Sequence, residues 1–208
     1  MNRELKKILR ENGGDLTASK KDLKSIFDIS FRRENQILCE GNDGYRIYRY
    51  TYGQMKKRII EAASALYARI GATHSYVALE MENSPEWIVA FWAILKTLNV
   101  RCTVCADKSE LSPEAIAVSS LCGEHPAVPD EVFENELAFS SSATSMNEVI
   151  CFYTGYQIAE QVLNFGSIVK ENPRMTKHYK GRLKQLAFLP FYHVFGLFAV
   201  YFWFTFFG

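Results

Sequence analysis

"YVALEMENSPEWIVAFWAILKTLNV", residues 76–100, holds the choice of fold class. It opens as a short apolar strand and breaks at Asn83-Ser84-Pro85-Glu86. Ser84 stands where a hydroxyl can accept the unpaired N–H groups of a first helical turn. Pro85 follows at the first helical position, where its missing N–H costs nothing. An apolar helix comes next, and "NVRCTVC", residues 99–105, reads as another strand. Strand, helix and strand within about thirty residues predict a crossover unit and a parallel pair.

The same alternation continues on both sides. Upstream, residues 45–51 alternate like an edge strand after a loop "EGNDGYRIY", and Thr51 sits at an N-cap position. Tyr52, Met55, Ile59, Ala62, Leu66 and Ile70 then recur at helical spacing, with Gly71 placed to end the helix. The first thirty residues contain a charged amphipathic helix, with Leu5, Ile8 and Leu9 on one side, that reads as a surface helix. Downstream, Ser112-Pro113 starts a short helix to about Leu121, and "GEHPAVPDE" is a Pro-rich connection. Strands over 136–140 and 148–154, a helix over 156–171, and a terminal strand and helix complete the chain. The expected fold is α/β, layered, with a largely parallel sheet flanked by helices. The expected division is a leader over 1–44 and a domain over 45–208.

With 208 residues, 48% of them hydrophobic, the chain can bury a full core. Its 24 basic and 23 acidic residues nearly cancel, so no general field points to nucleic acid or an acidic membrane surface. The charged residues 1–12 do not resemble a secretory signal, and a cytoplasmic chain is expected. Cys102 and Cys105 form a C-x-x-C pair with no second Cys or His pair nearby, which reads as buried free thiols in preference to zinc. The last stretch, "LAFLPFYHVFGLFAVYFWFTFFG" over 186–208, is long enough to span a bilayer. Pro190 and His193 divide it, so a buried strand followed by a core helix is expected, with no transmembrane span. Such a helix needs cover on every side. The sequence offers none at that point, and self-association of the piece is expected.

Between the strands of 136–140 and 148–154 lies "AFSSSATSMNEVICF", residues 138–152. Its hydroxyls can donate to phosphate oxygens, but a Ser-rich polar turn has the same composition. His74, His125 and His178 have no acid partner or serine elbow near them in sequence, so a hydrolase triad has little support.

These segments together resemble the N-terminal part of the adenylate-forming superfamily: acyl-CoA synthetases, luciferases and nonribosomal adenylation domains. "TYGQMKKRIIEAASALYARIGA" is similar to the family's opening helix, residues 76–100 to its strand, Asn-Ser-Pro-Glu turn and long helix, and "LAFLPFYHVFGLFA" to its "PLFHxxG" segment. The resemblance covers about 46–208 and makes 45–208 a partial AMP-binding domain. It places Ser140, Ser141, Ser142, Thr144 and Ser145 in the ATP phosphate loop, and His193 and Gly196 at the wall of the acyl and adenylate pocket. Read from its residues alone, His193 is equally a core histidine bonded to backbone, and Phe191, Tyr192, Phe195 and Phe198 surround it as pocket lining or as core. The implied cofactors are ATP and Mg2+, with coenzyme A or carrier-protein pantetheine as acceptor. The implied partners are a small carboxylic acid, a fatty acid among them, and an acyl carrier protein. The loop departs from the family pattern: Ser142 and Ser145 stand at glycine positions, Ala143 replaces a threonine, Asn147 the proline, Glu148 the lysine and Val149 the last glycine. A Cβ where positive φ is needed costs about 1–2 kcal/mol per residue, and a carboxylate at the lysine position repels polyphosphate. The implied reaction is acyl-adenylate formation followed by thioester formation, and the 208 residues alone are expected not to turn over. A non-catalytic relative, used in weak nucleotide or acyl binding or in subunit assembly, is the alternative.

Overall fold

The structure is a computed structural model that describes residues 1, 3–42, 44–71, 76–97, 101–104, 116–128, 133–140, 150–177 and 182–208, with backbone alone for 101–104 and 140. Two helices open the chain, α1 (Arg3–Ala18) and α2 (Leu23–Phe31). They lead into a hairpin, β1 (Ile37–Asn42) and β2 (Ile47–Thr51), paired antiparallel. The sequence pattern marks only the second of these strands. The first reads as loop because its "EGN" end lacks β-formers, and pairing with residues 47–51 overrides that local preference.

α3 (Tyr52–Ile70) starts at Thr51, whose hydroxyl accepts the Gln54 N–H while the Gln54 side chain accepts the Thr51 N–H. It ends at Gly71 with φ 62°, whose N–H donates to Tyr67 O. β3 (Tyr76–Leu79), α4 (Pro85–Lys96) and β4 (Arg101–Val104) form the expected crossover, with Ser84 Oγ accepting the Trp87 N–H. β5 (Glu136–Ser140), β6 (Ile150–Thr154) and α5 (Gly155–Glu171) follow. Thr154 and Gln157 make the same reciprocal cap on α5 as Thr51 and Gln54 on α3.

The four-stranded sheet runs β3-β4-β5-β6, parallel through β5, with β6 antiparallel to β5. Ala138 faces Phe152 and Ser140 faces Ile150 across that last pair. Residues 182–190 form no strand, contrary to expectation, and Leu186 and Phe188 are 79% and 69% exposed. The helix expected over 112–121 lies partly outside the described residues, which show a 3-10 turn at Val118–Ser120. Cys105 lies outside them too, as does the Cys102 side chain.

The chain closes with π-helical turns over Gly196–Phe202 that run into α6 (Trp203–Phe207). None of the helices formed by the described residues is long and apolar enough to cross a membrane. The cover for this apolar end comes from the front of the chain and from α4 and α5. Leu5, Leu9 and Leu16 of α1 are fully buried, and α1 packs on both α5 and α6. Trp203 stacks on Phe165 of α5 at 4.3 Å between centroids, and Trp92 of α4 donates its Nε1–H to the Tyr201 hydroxyl at 2.5 Å. Trp92 also meets Phe27, Phe31, Phe91, Phe133 and Phe202 edge-on or tilted at 5.1 to 6.1 Å, the geometry ring quadrupoles prefer.

The carbonyls that end α6 are gathered by polar groups from distant segments. Arg33 donates to Thr205 O at 2.6 Å and Gly208 O at 2.5 Å, Tyr52 to Thr205 O at 2.7 Å, and Asn12 to Phe206 O at 2.6 Å. Arg182 adds a bond to Gly208 O at 3.1 Å. Cationic groups at a helix C-terminus meet both its unpaired carbonyls and its dipole. Burial lowers the Arg33 pKa from its ordinary range, an effect the Tyr52 oxygen opposes.

On the hairpin, Arg49 Nε donates to Glu40 Oε2 at 2.5 Å and holds the Glu40 carboxyl below its ordinary value of 4.5. A depressed folded-state pKa gives stability that is complete above the unfolded value and lost as pH falls through the folded one. Amide protection at β1 and β2, taken relative to intrinsic exchange at each pH, is therefore expected to fall below pH 4.5 in the native protein, with a smaller response in Glu40→Gln. An equal response in that variant would assign the acid sensitivity elsewhere.

Candidate functional site

Because β3, β4 and β5 are parallel, their carboxyl ends lie on one edge, with Leu79, Val104 and Phe139 in register. Open α/β sheets bind ligands at this edge, where loops leave the strands and helices begin. Two described segments meet here, the Asn83–Glu86 turn after β3 and residues 187–196, and β5 ends at the same edge. Ser140 is the last residue of β5, paired with Ile150, and so marks where the loop leaves the sheet. Ser141, Ser142, Thr144, Ser145 and Glu148 lie outside the described residues.

Asn83 joins the turn to the second of these segments. Its Nδ2 donates to Ala187 O at 3.1 Å and Leu189 O at 2.8 Å, and its Oδ1 accepts the Phe191 N–H at 2.8 Å. The three partners sit at alternate residues, 187, 189 and 191, so one side chain supplies bonds that a strand ladder would. Phe191 is buried against Trp87 and Tyr201, at 5.1 and 5.3 Å between centroids.

His193 is exposed and caps the terminal helix: its Nδ1 accepts the Phe195 N–H at 3.2 Å, and its carbonyl accepts the Leu197 N–H at 2.9 Å. That bond requires an unprotonated Nδ1 and leaves Nε2 as the nitrogen open to a ligand. Gly196 is buried at the start of the π-helical turns, where an added Cβ would lie 1.9 Å from Pro190 O. Phe198 meets Tyr153 at 5.7 Å and Tyr153 meets Phe139 at 5.6 Å, which seats this helix on the β5–β6 hairpin at the base of the loop. Of the aromatic residues around His193, Phe191 and Phe198 are core, Tyr192 is half-buried and Phe195 is 59% exposed. Burial pushes the Cys39 thiol up to about 11, which leaves it un-ionised at neutral pH and a poor nucleophile.

The donor set suits the neutral part of phosphate recognition. Hydroxyls and the first-turn N–H groups of helices can donate to phosphate oxygens, but the loop supplies no lysine. Among the described residues no group of three His, Cys, Asp or Glu side chains gathers where a cation could be held.

Sequence reasoning misses the role of Asn83. The only local signal is a side-chain amide inside the family-like turn, and its partners lie more than a hundred residues away.

Comparison with known proteins agrees with this architecture. Residues 33–119 match the model of the AMP-binding enzyme family. No curated protein matches the chain. Among solved structures, o-succinylbenzoate CoA synthetase (MenE) from Bacillus subtilis in complex with the acyl-adenylate intermediate OSB-AMP is similar with TM-score 0.63 and 15% identity, over 88% of this chain and 53% of that one. The adenylation domain of a keto acid-selecting NRPS module bound to keto acyl adenylate gives TM-score 0.64 and 13% identity, over 92% and 42%. The N-terminal subdomain of Klebsiella oxytoca NpsA in complex with 3-hydroxyanthranilyl-AMSN gives TM-score 0.51 and 16% identity, over 68% and 43%. The chain thus spans about half the length of these structures. Its fold is that of the N-terminal part of adenylate-forming enzymes.

Proposed function

We propose that this chain, which carries the fold of the front part of an adenylate-forming enzyme, is the N-terminal portion of an ATP-dependent ligase that activates a carboxylic acid. One observation carries the reading: the hydroxyl-rich loop and the His193 cap arise at the carboxyl edge of a sheet whose architectural likenesses include proteins solved with acyl-adenylates or their analogues. In the proposed reaction a carboxylate oxygen attacks the α-phosphorus of ATP and pyrophosphate leaves. The sulfur of coenzyme A or of a carrier-protein pantetheine then attacks the acyl carbon, and AMP leaves.

The contribution of these residues is positioning. Ser140, Ser141, Ser142, Thr144 and Ser145 donate hydroxyl hydrogens to phosphate oxygens, and Nε2 of His193 presents a polar group at the acyl wall beside Gly196. Mg2+, when bound, would neutralise polyphosphate charge. No step here runs through it. A small organic acid, a fatty acid among the candidates, is the proposed substrate, and the cytoplasm the proposed location. The 208 residues on their own are proposed to hold ligand without turnover.

A second reading, a non-catalytic relative that binds nucleotide weakly, is favoured by Glu148 at the lysine position and by Ser142 and Ser145 at glycine positions. Calorimetry with a non-hydrolysable ATP analogue on the unaltered chain and on Glu148→Lys tests the phosphate assignment. Replacing a carboxylate by an ammonium beside polyphosphate is expected to tighten binding about tenfold or more, ~1.4 kcal/mol. Equal affinity would remove the loop from the phosphate site.

A further inference from the structure

We infer that Asn83 is a positioning residue for His193, a role that rests on the reading of His193 as part of the acyl-adenylate wall. The carboxamide is fully used. Both Nδ2 hydrogens go to carbonyls of 187 and 189, and Oδ1 takes the N–H of 191. No other side-chain type of this size combines two donors with an acceptor. Aspartate keeps the shape but would face two carbonyl oxygens with a carboxylate, and serine reaches one partner at most.

The backbone that Asn83 holds is the seat of the His193 cap. Pro190 O accepts the His193 N–H at 3.1 Å and closes the turn. Gly196 lies so near Pro190 O and Leu189 O that its missing Cβ would be 1.9 and 3.2 Å from them. The first turn of the terminal helix therefore rests on the two residues that Asn83 brackets. His193 Nδ1 is held by the Phe195 N–H of that turn, and this bond fixes which nitrogen faces outward. Displacing residues 187–191 moves the turn, and with it the imidazole. Asn83 itself sits immediately before the Ser84 cap of α4, whose body is buried in the core. The histidine is thus referenced to a rigid helix instead of to the exposed segment that carries it.

Amide exchange followed by NMR on the full chain tests this, with the imidazole 15N signals of His193 recorded in parallel. In Asn83→Ala and in Asn83→Asp, the Phe191, His193 and Phe195 amides are expected to exchange at least tenfold faster, with those of α3 and α5 unchanged. The His193 signals are expected to shift from a single tautomer with unprotonated Nδ1 to an exchanging mixture. An unchanged Phe195 amide and imidazole pattern in both variants would overturn the inference. So would equal acceleration in α3 and α5, which would assign Asn83 to global stability. The measurement involves no ligand, so it is separable from the functional reading, which fails if the unaltered chain does not bind an acyl-sulfamoyl-adenosine.

Discussion

Deletion of residues 1–19 is expected to turn a folded chain into an aggregating one. Leu5, Leu9 and Leu16 are fully buried and Ile8 is 8% exposed. Each such side chain contributes roughly 1.5–3 kcal/mol by leaving water. Four of them together approach the entire stability of about 5–15 kcal/mol typical of a domain. The loss falls on the most apolar part of the molecule. α1 covers α5 and α6, Phe206 and Phe207 are fully buried, and Asn12 is a donor to Phe206 O. Without α1 these rings face water as one patch, the condition for association. Size-exclusion chromatography and binding of a hydrophobic dye measure the outcome. A shortened chain that elutes at its own size without binding dye would show that α1 is dispensable.

Gly196→Ala is expected to destabilise the chain by about 3 kcal/mol, at the upper end of overpacking costs. The added methyl would meet main-chain oxygen, Pro190 O at 1.9 Å, so no side chain can rotate to make room. At this chain length such a loss lowers Tm by about 6–12 °C. Gly14→Ala is the control. It lies in α1 with nothing within 4 Å of its would-be Cβ, and alanine there should stabilise by about 0.5–1 kcal/mol. Opposite signs for one chemical change at two glycines, read by thermal unfolding, would establish the close approach. A neutral Gly196→Ala would mean that the helix can lift away from Pro190.

The caps at Thr51 and Ser84 are legible in the amino-acid order, because a cap is decided within four residues. The resemblance carried by residues 76–100 and 186–199 leads to His193 and Gly196, and both lie where the terminal helix begins. Which of the nearby aromatics are core is not legible. Phe191 and Phe195 are the same residue type four positions apart, and only their neighbours separate a buried ring from an exposed one.

The expectation of self-association comes from a helix with no visible cover, and the cover lies at the other end of the chain. The terminal strand fails for a related reason. Residues 186–190 have the apolar character of a strand, but a strand exists only with a partner's ladder. Here the Asn83 side chain takes the two carbonyls and the N–H that a partner would have bonded.

The sequence by itself determined the order of most strands and helices, where α3 and α4 start and the parallel crossover from β3 to β4, because those depend on backbone preferences and bonds between near neighbours. Only the tertiary structure decided the antiparallel β6, the burial of the last helix under the first, and the bond set of Asn83. The last two depend on groups 104 to 194 positions apart, such as Asn83 with Ala187 and Asn12 with Phe206. No local pattern records such pairs, because each is selected by the fit of the whole core and not by the residues beside it.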